Sequence, residues 1–182
     1  PPPAEVRAAM ISAGIKSGAE ILVFHDMDDR PAERSLVTHT LALSDADFSY
    51  GDMELTDTSG QTLGRRFFED STVAERLCGR EGLSAVLDHN FLGFTNTAVR
   101  AGKVPAAAKR IPHNIEAADW WFFTSLLLAG LKGQKAGGVV VQYRSHGDNV
   151  LGTGPARGAD LLRQLRIAER HYASFSENSA FR

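Results

Sequence analysis

Short apolar runs alternate with stretches of helical periodicity along this chain, and this alternation is what most constrains its fold. Such alternation is typical of α/β domains, in which a largely parallel sheet is covered by helices on both faces. The apolar runs, which predict strands, are 19–26, 45–50, 94–100 and 137–144. The segments with helical spacing are 4–17, 31–43, 115–129 and the region from residue 155 onward. We therefore expect an α/β fold with a mostly parallel sheet.

Weaker patterns lie between these segments. MELTDTSGQTL at 53–63 alternates in polarity and turns through Ser59 and Gly60, which predicts a small hairpin. Short helices are expected around 73–77, 83–87 and 104–109. We divide the chain into a domain at 1–154 and a C-terminal amphipathic helix at 155–182.

Composition narrows the classes of function. At 182 residues, with 43% apolar and 23% charged residues, the chain fits one globular domain. Its net charge of −2 lacks the basic footprint of a general nucleic-acid binder, so we expect no nucleic-acid partner. The single cysteine, Cys78, excludes an internal disulfide framework and suits a reducing compartment. The longest apolar run, at 120–131, is shorter than the ~20 residues of a spanning helix, and we expect a cytoplasmic location.

An acidic group follows the first apolar run, in the stretch ILVFHDMDDR at 21–30. Asp26, Asp28 and Asp29 lie close together, and a carboxylate pair at about 4 Å repels by roughly 4 kcal/mol at an effective dielectric near 20. A positive partner must therefore offset this charge. Alternate residues of an extended chain point the same way, so Asp26 and Asp28 are candidate ligands for Mg²⁺ or Mn²⁺. The alternative is an acidic loop end that caps the next helix.

Two further polar groups accompany apolar segments. Asp119 lies in the first turn of a strongly apolar helix, flanked by Trp120 and Trp121. The helix N-terminus favours the anion, whereas burial beside indoles raises a carboxyl pKa, so Asp119 is a candidate general base. Arg144 and His146 follow a predicted strand two positions apart, and both side chains suit phosphate oxygens. A helix-start acid and a surface arginine are the simpler alternatives.

Three stretches, taken in chain order, resemble segments of family 2 (GT-A fold) glycosyltransferases. They are AEVRAAMISAGIKSGAEILVFHDMDDR at 4–30, DADFSYGDMELTDTSGQ at 45–61 and EAADWWFFTSLLLAGLKGQKAGGVVVQYRSHGDNVLG at 116–152. Bacterial rhamnosyltransferase-like members are the most similar. The resemblance implies a GT-A-like, Rossmann-like fold and an inverting transfer of a sugar from a nucleotide-diphosphate sugar to a hydroxyl of a glycan or lipid-linked acceptor.

The resemblance also implies roles for individual residues. Asp26 and Asp28 match the family's D-x-D motif, which holds a Mg²⁺ or Mn²⁺ cation. Asp119 matches the catalytic base, with Glu116 as the alternative. The donor and its diphosphate would be bound by Asp29, Arg144 and His146, with Asn149 fixing that loop. Trp120 or Trp121 would stack against a sugar ring.

Two departures from the family keep other interpretations open. No strand like VSVIIPTYN and no acidic DDGSTD segment precede the first motif, so we expect the nucleotide-binding N-terminal part to be missing. His25 also stands where the family has an apolar or small residue. One alternative is a non-catalytic carbohydrate-binding or interaction module. Another is a haloacid-dehalogenase-type phosphohydrolase with Asp26 as nucleophile and Asp28 as acid, although Arg30 replaces its expected Thr or Val.

The C-terminal helix is a candidate contact surface. Its apolar residues recur at a spacing of four and three, and arginines surround them. The apolar residues are Leu161, Leu165, Ala168, Tyr172 and Phe175, and the arginines are Arg157, Arg163, Arg166 and Arg170. Such a helix most often packs on its own domain. A homodimer contact and a peripheral contact with the inner face of a membrane are the alternatives.

Overall fold

The computed structural model of the chain describes residues 2–68, 75–87, 90–145 and 158–177. These residues form a mixed α/β fold, in which one sheet of seven strands is flanked by five α-helices. The helices are α1 (Pro3–Lys16), α2 (Ser35–Ala42), α3 (Leu83–Leu87), α4 (Ala118–Leu128) and α5 (Ala159–Glu177). The strands are β1 (Ile21–Val23), β2 (Arg30–Pro31), β3 (Phe48–Thr56), β4 (Thr62–Arg66), β5 (Arg76–Cys78), β6 (Thr97–Arg100) and β7 (Lys132–Arg144).

Strand direction in the sheet differs from the expectation. The strands lie in the order β1-β6-β3-β7-β2, with β4 added beside β3 and β5 beside β7. Among the described strands, the β3–β7 pair is parallel and the other pairs are antiparallel. The mostly parallel sheet is therefore not confirmed. A strand that is buried on both faces is apolar whichever way its neighbours run, so the apolar runs could not specify direction.

Helices cover both faces of the sheet, as expected. Phe48 of β3 lies against Phe123 of α4, with ring centroids 5.6 Å apart. The next residue, Ser49, shares a hydrogen bond of 2.8 Å with Nδ1 of His39 on α2. Because successive side chains of a strand point to opposite faces, α4 and α2 lie on opposite sides of the sheet.

The centre of the sheet depends on a glycine in β7. Gly133 pairs with Phe48 across the parallel β3–β7 ladder. A Cβ atom at Gly133 would lie 2.5 Å from Cε2 and Cζ of the Phe48 ring, a separation at which atoms overlap. The fully buried ring of Phe48 therefore fits over β7 because residue 133 has no side chain.

Most of the predicted elements form, and three differ. The hairpin at 53–63 is confirmed, since β3 pairs with β4 around a turn. Helix α2 begins four residues later than expected, because Pro31 pairs with Val141 in β2. Leu77, expected in a helix, lies in β5 opposite Gly133. Residues 106–109 form turns rather than a helix. In the first two cases pairing with β7 overrides the local pattern.

Helix α5 packs on α4 through its C-terminal half. The indole of Trp120 stacks on His171 at 4.1 Å between centroids, and that of Trp121 stacks on Phe175 at 5.4 Å. The buried side chains of α5 are Ile167 and His171. Of the predicted apolar stripe, the C-terminal members Tyr172 and Phe175 contact the indoles of α4, whereas Leu161 and Leu165 are exposed. The position of α4, rather than the stripe itself, decides which residues are covered.

The N-terminal half of α5 carries three exposed leucines, which we call the leucine patch. They are Leu161 (46% exposed), Leu162 (58%) and Leu165 (57%). Within the described part of the chain, no helix has both the length and the apolar character needed to cross a membrane. The boundary predicted between 154 and 155 lies outside the described residues.

Candidate functional site

The acidic stretch after β1 forms a turn. The backbone N–H of Asp29 donates to the carbonyl of Asp26 at 3.2 Å, which closes the loop through Met27 and Asp28. The chain is therefore not extended here, and the side chains of Asp26 and Asp28 leave the backbone from different positions of a turn. Asp28 is exposed, whereas Asp26 and Asp29 are partly buried.

Arg7 is the positive partner of these acids. Its guanidinium forms an ion pair and a hydrogen bond with Oδ1 of Asp26 and lies over the ring of Phe94, 5.2 Å from the centroid. Burial lowers the pKa of Arg7, and the negative charges of Asp119 and Asp28 act in the opposite direction. One guanidinium thus interacts with carboxylates from two distant parts of the sequence. We call Asp26, Asp28 and Asp119 the acid cluster.

Asp119 lies in the first turn of α4, as expected. Its Oδ1 accepts a hydrogen bond from the backbone N–H of Trp120 at 2.7 Å and another from Nδ2 of Asn90 at 3.2 Å. Burial raises the pKa of Asp119, and these hydrogen bonds and the charge of Arg7 partly offset that effect. A carboxylate with a raised pKa takes up a proton more readily, which suits a general base.

The loop before β6 holds this arrangement together. Nδ2 of Asn96 donates to the carbonyls of Gly51 at 3.0 Å and Phe91 at 3.1 Å. A Cβ atom at Gly93 would lie 3.3 Å from Oδ1 of Asn96 and 3.7 Å from Oδ2 of Asp119, so the loop backbone passes close to Asp119. The buried Oδ1 atoms of Asn90 and Asn96 have no hydrogen-bond partner among the described residues.

Asp29 faces a second part of the site. Its Oδ1 accepts a hydrogen bond from the backbone N–H of Arg144 at the end of β7, at 3.0 Å. Burial raises the pKa of Asp29, and hydrogen bonding, including this one, partly offsets it. Burial also lowers the pKa of His25, which the negative charge of Asp29 partly restores. Asp29 and Arg144 are thus brought together through the backbone of Arg144.

The indoles of Trp120 and Trp121 make their contacts outside the acid cluster, and two other predicted residues lie outside the described part of the chain. Trp120 donates its indole N–H to the carbonyl of Val86 at 2.7 Å, and Trp121 donates to Oγ of Ser174 at 2.9 Å. Both indoles are buried beneath α5, so their predicted stacking on a sugar has no exposed ring face to use. His146 and Asn149 lie outside the described residues.

Glu116, the alternative base, points toward α5. Its Oε1 accepts a hydrogen bond from Nη1 of Arg170 in an ion pair of 2.8 Å. Asp119 interacts instead with Asn90 and Arg7. The two acids therefore have different surroundings, and Asp119 is the one that belongs to the acid cluster.

The residues missed by sequence reasoning are Arg7, Asn90 and Asn96. Arg7 is the only basic residue among the first fifteen, which is a weak signal that it serves the acids that follow. The two asparagines flank an aromatic segment, FLGF at 91–94, where buried amides need hydrogen-bond partners. Neither signal identifies which acid these residues contact.

The acid cluster suits a hard cation in its chemistry. Carboxylate oxygens are the ligands of Mg²⁺, which commonly takes one or two carboxylates together with substrate phosphates. Among the described residues, no group of three or more His, Cys, Asp or Glu side chains is arranged to hold a metal ion. Asp26 and Asp28 could supply one or two carboxylates of this kind.

Comparisons with known proteins identify no family. No family model matches this sequence, and no curated protein matches it significantly. A proposal for the function of this chain therefore depends on the sequence motifs and on the geometry of the site.

Proposed function

We propose that this chain functions as a metal-dependent, inverting glycosyltransferase with a GT-A-like fold. It would transfer a sugar from a nucleotide-diphosphate sugar to a hydroxyl of a glycan or lipid-linked acceptor. The observation that carries the proposal is the acid cluster. Asp119 lies about ninety positions after Asp26 and Asp28 in the sequence, yet both parts of the chain act on the same guanidinium, Arg7.

In this proposal the loop after β1 lies on the diphosphate side of the donor site and would hold a divalent cation. Asp26 and Asp28 would hold Mg²⁺ or Mn²⁺, which supplies positive charge to the departing diphosphate. Asp29 and Arg144 would line the donor side, since they are joined by the hydrogen bond at the end of β7. His146 is assigned to the same side on the basis of the sequence motif.

Asp119 would act as the general base. The acceptor oxygen forms a bond to the anomeric carbon while the bond from that carbon to the diphosphate oxygen breaks on the opposite face. The acceptor proton passes to Asp119, and the configuration of the anomeric centre inverts. A positioned base typically contributes 10²–10⁴-fold to the rate. The burial that raises the pKa of Asp119 supports this role.

The surface of α5 suggests where a lipid-linked acceptor would approach the protein. The leucine patch lies beside a groove of about 340 Å³ lined by Glu116, Arg163, Arg166 and Arg170, among others. Exposed leucines next to arginines on one helix are typical of segments that lie on anionic membranes. We propose peripheral binding to the inner face of a membrane, where a lipid-linked acceptor is held, with a homodimer as the alternative occupant of this surface.

A thermal-shift panel tests the proposed function. UDP-, GDP-, dTDP- and CMP-sugars are added with and without Mn²⁺ to the chain and to Asp26→Asn, Asp119→Asn and the exposed control Asp45→Asn. Ligand at 100 times its Kd stabilises by about 2.7 kcal/mol, or about 5–10 °C in Tm at this size. We expect a metal-dependent shift with one nucleotide that is lost in Asp26→Asn and kept in the other two variants.

Product formation then separates binding from catalysis. Sugar transfer to an acceptor should fall at least a hundredfold in Asp119→Asn and stay unchanged in Asp45→Asn. No shift with any nucleotide-sugar would show that the residues of this chain form no working donor pocket by themselves. Glycan binding without dependence on nucleotide or metal would instead support the non-catalytic module.

A further inference from the structure

We propose that Arg7 is a built-in counter-ion that competes with a divalent cation for Asp26, so that cation binding requires the Arg7–Asp26 ion pair to open. This inference rests on the proposed function only in taking Asp26 and Asp28 as cation ligands. It assigns a positioning role to a residue that no motif in the sequence marks.

The ion pair occupies a ligand atom that the cation would need. Nη2 of Arg7 is bonded to Oδ1 of Asp26, and a guanidinium and a divalent cation on one carboxylate would repel each other. The side chains of Arg7 and Asp26 are 21% and 37% exposed, so solvent ions can reach the pair. A partly exposed ion pair contributes little to stability and can therefore be exchanged.

Arg7 has an alternative partner when it leaves Asp26. The negative charge of Asp119 also acts on Arg7, more strongly than that of Asp28, and the ring of Phe94 supports the guanidinium from one face. The aromatic contact does not depend on Asp26. Arg7 would therefore turn from Asp26 toward Asp119 as the cation binds, which couples the cation ligands to the proposed base.

The charge of the acid cluster allows this exchange. Asp26, Asp28 and Asp119 carry three negative charges, and Arg7 neutralises one of them, which leaves two. The addition of a divalent cation then balances the cluster once Arg7 is held by Asp119. An arrangement with Arg7 and the cation both on Asp26 would concentrate three positive charges at one carboxylate.

Mn²⁺ binding, followed by electron paramagnetic resonance of the free ion, tests the competition. The variants are Arg7→Met, which removes the charge, and Arg7→Lys, which keeps it. Arg34→Met is the matched control, because Arg34 is exposed and precedes α2. We expect Arg7→Met to bind Mn²⁺ about tenfold more tightly than the wild-type chain, with Arg7→Lys and Arg34→Met within about threefold of it.

Each outcome has a distinct meaning. Unchanged or weaker Mn²⁺ binding in Arg7→Met would show that Arg7 orients Asp26 and does not compete, and the inference would be wrong while the proposed cation site stands. No Mn²⁺ binding by either chain would overturn both the competition and the proposed cation site.

A measurement on the wild-type chain avoids the question of whether Arg7→Met folds. Phenylglyoxal modifies accessible arginines, and mass spectrometry gives the modification rate of each one. Because Arg7 exchanges the partly exposed Asp26 for Asp119 in the first turn of α4, Mn²⁺ should lower the rate at Arg7 severalfold and leave the rate at Arg34 unchanged. An Arg7 rate that is the same or higher with saturating Mn²⁺ would contradict the exchange.

Discussion

Two buried histidines should make the fold sensitive to mild acid. His39 on α2 and His171 on α5 are each 1% exposed. Burial lowers the pKa of His39 from 6.5 to about 4, with a smaller contribution from His25, and burial alone lowers that of His171 to about 4. Each ring is therefore neutral in the folded chain at a pH where it is protonated in the unfolded chain.

The sign and size of the effect follow from proton linkage. Because the folded pKa lies below the unfolded value of 6.5, the histidines are neutral in both states above that pH and do not affect stability there. As the pH falls from 6.5 toward 4, the unfolded chain binds protons that the folded chain cannot. Between pH 7.5 and 5.0 each histidine removes about 2 kcal/mol from the free energy of unfolding, or about 4 kcal/mol together.

Urea unfolding at several pH values between 5.0 and 7.5 measures this loss. The test variant is His39→Gln combined with His171→Gln, and the control is His113→Gln, at an exposed position. The double variant should lose about 4 kcal/mol less than the wild-type chain over this range, whatever its stability at pH 7.5. His113→Gln should follow the wild-type curve.

Carboxylates contribute with the opposite sign, so the comparison between variants is essential. Burial raises the pKa of Asp29 and Asp119, and the folded chain therefore accepts their protons more readily as the pH falls. This contribution is common to the wild-type chain and the double variant and cancels in their difference. Parallel stability curves for the two chains would refute the assignment of neutral, buried histidines.

Two further predictions concern packing and the surface of α5. Gly133→Ala should destabilise the fold by about 1–3 kcal/mol, because the new Cβ atom would overlap the Phe48 ring. In the control Gly137→Ala, in the same strand, the new Cβ atom meets no atom within 4 Å, so stability should change by less than about 1 kcal/mol. Urea unfolding measures the free energy of unfolding of both variants. Replacing all three residues of the leucine patch by Ser should abolish co-sedimentation with vesicles that contain anionic lipid, without loss of folded signal in circular dichroism. Binding that is unchanged in this variant would exclude the membrane role, and a change from dimer to monomer in sedimentation velocity would indicate the homodimer instead.

Much of the fold follows from local sequence patterns. Helices α1, α4 and α5 and the β3–β4 hairpin lie close to where periodicity and turn residues predict them. These signals are local, because a helical stripe or a Ser-Gly turn acts over a few residues. Strand direction is a property of two segments at once. The antiparallel contacts of β6 with β1 and β3 depend on the path of the chain between them.

The candidate site likewise combines features that local sequence predicts with features that depend on contacts between distant segments. The sequence alone identifies Asp26, Asp28 and Asp119 as unusual acids, because each lies beside an apolar segment. It does not predict that Arg7 pairs with Asp26, that Asn90 holds Asp119, or that Trp120 and Trp121 are covered by α5. Charge and burial depend on neighbours in space, and the tertiary structure alone brings α1, the β1 loop and α4 together. The sequence therefore determined which groups can do chemistry, and the packing of the helices on the sheet decided which of them meet.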